Sequence, residues 1–214
     1  MTIGIPVPRI VSFDIGNTLL RLQPPGGFCA HFSRTTGLAF DTLRPLFTQY
    51  FLTRDLPIRE AVTRACAQIG YPNPDHVIDS YNPPAGAAFD DAIPALTRLR
   101  AAGVKVIAVS NCAPWDTAGM NATGLTPLLD EVFYSFQIGA AKPDPRIFHH
   151  IQAAIRAEPA QILHIGDTLT ADVQGPTSAG WSALLLKRGT SGGETHQNHQ
   201  AHTIRSLADL VIGE

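Results

Sequence analysis

The sequence predicts a doubly wound α/β fold with a parallel sheet, interrupted near its start by an inserted helical segment. Two observations carry this. Between residues 90 and 186, short β-branched apolar runs alternate with amphipathic helical stretches, the pattern of strands joined by crossover helices. Residues 24–88 show helical periodicity punctuated by Pro and Gly, with no convincing strand.

In chain order, Arg9-Ile-Val-Ser-Phe-Asp14 is an apolar, partly β-branched run ending in a carboxylate, a buried strand with a functional end. Helices are predicted at Phe28–Thr36, Asp41–Leu52, Pro57–Ile69 and Asp75–Tyr81, between Pro24-Pro25-Gly26-Gly27 and Pro83-Pro84-Ala85-Gly86 as hinges. Asp90–Gly103 has an acidic start, apolar spacing and a terminal Gly, a complete helix, and leads into the strand Val104–Ser110. Strands at Glu131–Ser135, Ile162–Ile165 and Trp181–Leu186 then alternate with helices at Pro145–Arg156 and Thr170–Ala179. The expected organisation is a core of residues 1–23 and 89–214 with a helical cap at 24–88. In such sheets ligands sit beyond the carboxyl ends of the strands, where Asp14, Ser110 and Asp167 fall.

Composition narrows the function classes. The 214 residues carry 16 Lys+Arg against 18 Asp+Glu, a net charge of -2 that offers no basic field for nucleic acid. No apolar run approaches the roughly 18 to 20 residues of a membrane-spanning helix, and Met1–Arg9 lacks the apolar stretch of a signal peptide. Cys29, Cys66 and Cys112 are odd in number and widely spaced, so neither a disulfide framework nor a zinc site is indicated and a cytosolic protein is expected. The polar stretch 188–202, with His196, His199 and His202 at intervals of three, reads as a solvated loop that could hold a metal only if folded suitably. The aromatic groups around Phe47, Trp115 and Phe133 belong to core packing or to a dimer interface, so the chain is expected to be a monomer or homodimer.

Asp14 at a strand tip can attack phosphorus as a nucleophile, splitting hydrolysis into formation and breakdown of an acyl phosphate. Two anions approach only if their charge is offset, and Mg²⁺ held by a few protein oxygens suits Asp14 and Asp167, with Asp172 as a direct or more distant partner. Of the three lysines, Lys105 lies in a strand and Lys187 follows one, which leaves Lys142, before Pro143, as the electrostatic candidate. Ser110 and the Asn111 amide are candidate donors to phosphate oxygens.

Phe13-Asp14-Ile15-Gly16-Asn17-Thr18-Leu19, Val109-Ser110-Asn111, Lys142-Pro143 and Ile165-Gly166-Asp167 through Asp172 come in the order and spacing of the four motifs of the haloacid-dehalogenase (HAD) superfamily, which the chain resembles. The resemblance implies a Rossmann-like core with a C1-type helical cap, a hydrolase acting on a small phosphorylated metabolite, and Mg²⁺ as cofactor. It further implies Asp14 and Lys142 as catalytic residues, and Asp14, the Gly16 carbonyl, Asp167 and Asp172 at the metal. The phosphate is expected among Ile15, Gly16, Ser110, Asn111 and Lys142. One position departs from the family. Its phosphatases read D-x-D-x-T, the second Asp acting as general acid and base, whereas this chain has Gly16 there.

That gap leaves alternatives open. A leaving group of low pKa needs less protonation, or a cap residue serves instead, with His31, Asp41, Asp55 and Glu60 as candidates. Family 2-haloacid dehalogenases also lack the second Asp and bind halide with a cap Arg, here Arg44 or Arg54, although they need no metal. A weakened phospholigand binder is the third possibility. A Schiff-base mechanism is excluded because the cap contains no lysine.

Overall fold

The computed structural model describes residues 8–188, apart from 24, 84 and 122, and residues 202–210. In chain order the strands and α-helices are β1 Ile10–Phe13, β2 Leu20–Gln23, α1 Gly27–Thr36, α2 Phe40–Phe47, α3 Ile58–Ile69, α4 Pro74–Asp79, β3 Ala85–Ala88, α5 Ala92–Ala101, β4 Lys105–Ser110, α6 Ala118–Asn121, β5 Glu131–Tyr134, α7 Ser135–Ile138, α8 Pro145–Ile155, β6 Ile162–Gly166, α9 Gly175–Ser178, β7 Ser182–Leu186 and β8 Thr203–Ile204.

Six strands form one sheet in the order β5-β4-β1-β6-β7-β8, with every pairing parallel. The fold is the expected doubly wound α/β architecture, because strands buried on both faces must be covered by helices on both. Alternation along each strand does this: Val11 and Phe13 of β1 and Val106 and Ala108 of β4 enter one apolar cluster with α5. Ile10, Ile107 and Val109 enter the opposite cluster with Ile147, Phe148 and Ile151 of α8. From β1 the chain runs to β4 and β5 on one side and β6, β7 and β8 lie on the other, so strand order reverses beside β1 and opens a crevice at its carboxyl end.

Helices α1–α4 form a unit with its own apolar cluster, built on Phe28, Phe32, Leu46, Phe47, Phe51 and Val62. The loop after β4 contributes to it, with Ala113 buried there and Trp115 edge-on to Phe28, ring centroids 5.0 Å apart. Of the aromatic residues read as core or interface, Phe47, Phe51 and Phe136 are buried, Tyr50, Trp115, Phe133 and Tyr134 are partly buried, and Tyr134 and Phe136 stack at 5.7 Å.

Three local expectations change. Residues 85–88 form a strand after all: β3 pairs antiparallel with β2, from Leu20↔Ala88 to Gln23↔Ala85, and this ribbon joins the helical unit to the sheet. Its sequence, Ala-Gly-Ala-Ala, has no β-branched residue to betray it, and backbone pairing with β2 decides the conformation. The predicted helix 41–52 is α-helical only to Phe47 and continues as a π-turn, Thr48–Leu52. The predicted helix 170–179 opens as a π-turn over Leu169–Gln174 before α9, because the backbone wraps around the buried Asp172 carboxylate: its own amide bonds Thr168 O at 2.8 Å while its Oδ2 accepts from Thr168 N at 2.9 Å. Residues 189–201 of the His-containing stretch lie outside the described residues. Among the described residues no helix is long and apolar enough to cross a membrane.

Candidate active site

The crevice is a cavity of about 1050 Å³ whose walls come from the carboxyl ends of β1, β4 and β6 and from the helical unit. Its lining includes each sequence-predicted site residue: Asp14, Ile15, Gly16, Ser110, Asn111, Lys142, Asp167 and Asp172. Asp14 follows β1 directly, its amide bonded to Ile165 O at 2.9 Å, so the strand ladder fixes where its carboxylate points.

Lys142 is the hub. Its side chain is 1% exposed and donates to Asp14 Oδ1 at 2.8 Å, Asp172 Oδ1 at 2.6 Å and Val109 O at 2.9 Å. Those three bonds use all three ammonium hydrogens, so in this arrangement the lysine has none left to donate to an incoming anion. Burial opposes its charge, but the two carboxylates outweigh burial and hold its pKa above the usual lysine value. Asn111 positions it: the carboxamide donates to Lys142 O at 2.7 Å and accepts from Lys142 N at 2.8 Å, leaving its backbone amide as the group for a ligand.

Asp172 is almost wholly buried and its oxygens are committed to Lys142, His164 Nε2 at 3.2 Å and Thr168 N. Burial works against its charge, yet Lys142 and His164 hold the carboxyl well below the ordinary range. His164 and Ser12 are functional groups that sequence reasoning passed over. They face each other across the β1–β6 register, and Ser12 Oγ lies 2.9 Å from His164 Nδ1. Since a carboxylate only accepts, Nε2 carries the proton to Asp172 and Nδ1 accepts from the Ser12 hydroxyl. Burial lowers the imidazole pKa, against the Asp172 carboxylate, and so favours the neutral ring. A polar pair inside two otherwise apolar strands, Ile-Val-Ser-Phe and Ile-Leu-His-Ile, was the available signal.

Gly166 was also unread. A Cβ there would meet Asp172 Cγ at 2.3 Å and its Cβ at 2.5 Å, so only glycine lets that carboxylate cross the β6 end. Gly16 is different. Its φ is not positive, and a Cβ would meet only Leu22 Cδ1, at 3.6 Å. The left-handed conformation falls on Asn17, φ 55°.

Asp14, Asp167 and Asp172 place one carboxylate oxygen each within 4.8 Å of one another. Burial, with Asp172 and Asp167 against Lys142, pushes the Asp14 carboxyl up to about 7. Burial and then the Asp172 charge raise Asp167. Clustered hard oxygens with excess negative charge fit a hard divalent cation.

The helical unit puts Arg44 on the cavity wall, where Asp41 pairs with it at 2.8 Å. Arg54, His31, Asp41, Asp55 and Glu60 are not among the described lining residues. His31 instead bonds Val77 O at 2.8 Å and Glu60 pairs with Arg64. Asp116, which the sequence did not suggest, lines the cavity from the loop after β4. It accepts from the Phe28 amide in the first turn of α1 at 3.1 Å and from the Tyr81 hydroxyl.

The family model for haloacid dehalogenase-like hydrolases matches residues 8–180. The chain belongs to that family. As an HAD-like hydrolase it is 27% identical over 204 residues to mouse haloacid dehalogenase-like hydrolase domain-containing protein 3, covering 83% of this chain and 81% of the relative. It is 32% identical over 102 residues to a glyceraldehyde 3-phosphate phosphatase of Methanopyrus kandleri, covering 47% of this chain and 44% of that enzyme. Among solved structures, L-2-haloacid dehalogenase from Xanthobacter autotrophicus superposes with a TM-score of 0.63 at 20% identity, over 94% of this chain and 96% of that one, a likeness of fold.

Proposed function

We propose that the protein is a Mg²⁺-dependent phosphate-monoester hydrolase acting on a small phosphorylated metabolite through an aspartyl-phosphate on Asp14. The observation that carries this is the gathering of three carboxylates around one ammonium, at the point where an anionic substrate must approach. A metal-free site would leave that excess charge uncompensated. The phosphatase relative supports the same choice.

Asp14, Asp167 and the Gly16 carbonyl would hold the Mg²⁺, with Asp172 beside them anchoring Lys142. When bound, the ion supplies positive charge to the phosphoryl oxygens. Asp14 attacks phosphorus as the bond to the leaving oxygen breaks. Water then attacks the phosphorus of the acyl phosphate, releasing inorganic phosphate and restoring the carboxylate. Lys142 lends its field to nucleophile and phosphate, while the Ser110 hydroxyl and the amides of Ile15, Gly16 and Asn111 orient the phosphoryl oxygens. Residues 24–88 serve as a cap over the core of 1–23 and 89–214, and a cytosolic monomer or homodimer suits three free cysteines.

Asp14→Asn tests the reading. It removes the nucleophile's charge at nearly constant volume, so turnover of phosphate esters should vanish while the circular dichroism and Tm remain native-like. Beryllium trifluoride with Mg²⁺ should bind the parent as an acyl-phosphate mimic, and weaken in Asp167→Asn. Wild-type phosphatase activity in Asp14→Asn rejects the mechanism, and chelator-insensitive beryllium trifluoride binding rejects the metal.

A further inference from the structure

The cavity is far larger than a phosphate, and what surrounds the remainder of it restricts the rest of the substrate. Outside Asp14, Lys142, Asp167 and Asp172, the charged side chains among its described lining residues are Arg44, Asp116 and Asp144. Asp116 is engaged by the Phe28 amide and the Tyr81 hydroxyl and Asp144 by Arg146 at 2.7 Å, whereas Arg44 makes only an exposed pair with Asp41 and lies over the Phe40 ring, 5.4 Å from its centroid. The Thr117 hydroxyl is spent on Pro114 O at 3.0 Å. The balance of the wall is mixed: Leu20, Leu22, Phe40, Phe47, Leu52 and Met120 give it an apolar stretch, beside the hydroxyl-bearing side chains of Thr48, Tyr134 and Thr170. Phe40 and Phe47 form a tilted ring pair with centroids 5.1 Å apart.

The apolar stretch, Leu20, Leu22, Phe40, Phe47, Leu52 and Met120, suits an apolar group beside the phosphate. An aromatic ring meets favourable edge and face contacts there. The catalytic end points to the same chemistry independently. Gly16 offers no proton donor, and the carboxamide of its neighbour Asn17 transfers no proton at neutral pH. A leaving oxygen must therefore depart as an anion, which a phenol does far more readily than an alkyl alcohol.

We propose that the substrates are aryl phosphate monoesters, with the ring lodged against the Phe40–Phe47 wall and the phosphoryl group at Asp14. This rests on the phosphatase reading above. In the first step the phosphoryl group passes to an Asp14 oxygen as the P–O(aryl) bond breaks, its electron pair leaving on the phenolate, which is protonated by solvent. Water then cleaves the acyl phosphate to inorganic phosphate and free Asp14.

The test compares kcat/KM with Mg²⁺ for four esters. Phenyl and cyclohexyl phosphate have similar size but very different leaving-group acidity, and phenyl should win by roughly 10²-fold or more. Phenyl and 2-naphthyl phosphate have similar acidity but different apolar area, and naphthyl should win by roughly 10-fold. Glucose 6-phosphate should be the poorest. Phe40→Ala, at a side chain already 40% exposed, should shrink the naphthyl-to-phenyl ratio several-fold. Cyclohexyl phosphate equalling phenyl, glucose 6-phosphate matching naphthyl, or an unchanged ratio in Phe40→Ala overturns the assignment. If no ester is turned over the assignment fails, and labelling of Asp14 by acetyl phosphate then separates the cases: a label keeps the aspartyl-phosphate reading, and its absence removes both.

Discussion

Gly16→Asp restores the side chain that family phosphatases use as acid and base. The structure gives its consequences a definite scale. Gly16 does not occupy a glycine-only conformation, and a Cβ there meets only Leu22 Cδ1 at an ordinary 3.6 Å. The substitution should therefore leave stability within about 1 kcal/mol of the parent, with reduced unfolded-state freedom offsetting any crowding. The new carboxylate adds negative charge near Asp14, Asp167 and Asp172, so the variant should require more Mg²⁺ for half-maximal activity. Once saturated with Mg²⁺, a general acid is worth roughly 10²- to 10⁴-fold, about 3 to 5 kcal/mol off the barrier, for a basic alkyl leaving group. It is worth little for p-nitrophenolate, which departs unprotonated. The assay is kcat/KM for cyclohexyl and p-nitrophenyl phosphate across a Mg²⁺ titration, beside Tm. Activity on the alkyl ester should rise while that on the aryl ester stays level or falls. An equal fall for both, in a variant that melts like the parent and still binds Mg²⁺, refutes the idea that the enzyme merely lacks its acid.

Other consequences are as direct. Gly166→Ala would drive a methyl group into Asp172, so it should destabilise by about 1 to 3 kcal/mol and collapse kcat by loosening Lys142; parent-like activity would show that Asp172 does not position that lysine. Burial would raise the Asp91 carboxyl, but hydrogen bonds from Arg188, Ser206 and the Leu207 amide hold it below the usual range. Asp91 thus contributes stability that is present above its unfolded pKa of 3.8 and lost as pH falls through the lower folded value. Asp91→Asn should accordingly lower the Tm at pH 7 and converge on the parent in strong acid, and a Tm gap constant across that range would remove the charge from the explanation. Halide release from L-2-chloropropionate should stay at background with or without chelator, and efficient chelator-insensitive release would favour dehalogenation over phosphoryl transfer.

How much of this was legible in the chain follows from what each residue responds to. A strand buried on both faces is a nearly continuous apolar run, so β1, β4 and β6 announce themselves, and a carboxylate or hydroxyl at their carboxyl ends marks a candidate site whose placement the sheet then dictates. Asp14, Ser110 and Asp167 were readable on that ground, and Lys142 because lysines are so scarce. The ribbon of β2 and β3 was not readable, since Ala-Gly-Ala-Ala becomes a strand only when β2 lies alongside it. His164 and Ser12 stand 152 residues apart, and no local pattern says that one strand's histidine will meet the other's hydroxyl and steady Asp172. The same holds for Asp116, which reaches the first turn of α1 across 88 residues. The sequence determined the fold class and which groups stand at the strand ends, because periodicity and burial are properties of contiguous residues. Only the tertiary structure decided which of those groups share hydrogen bonds, which charges are already paired and what lines the remaining space, because those depend on distances between segments that the chain order does not contain.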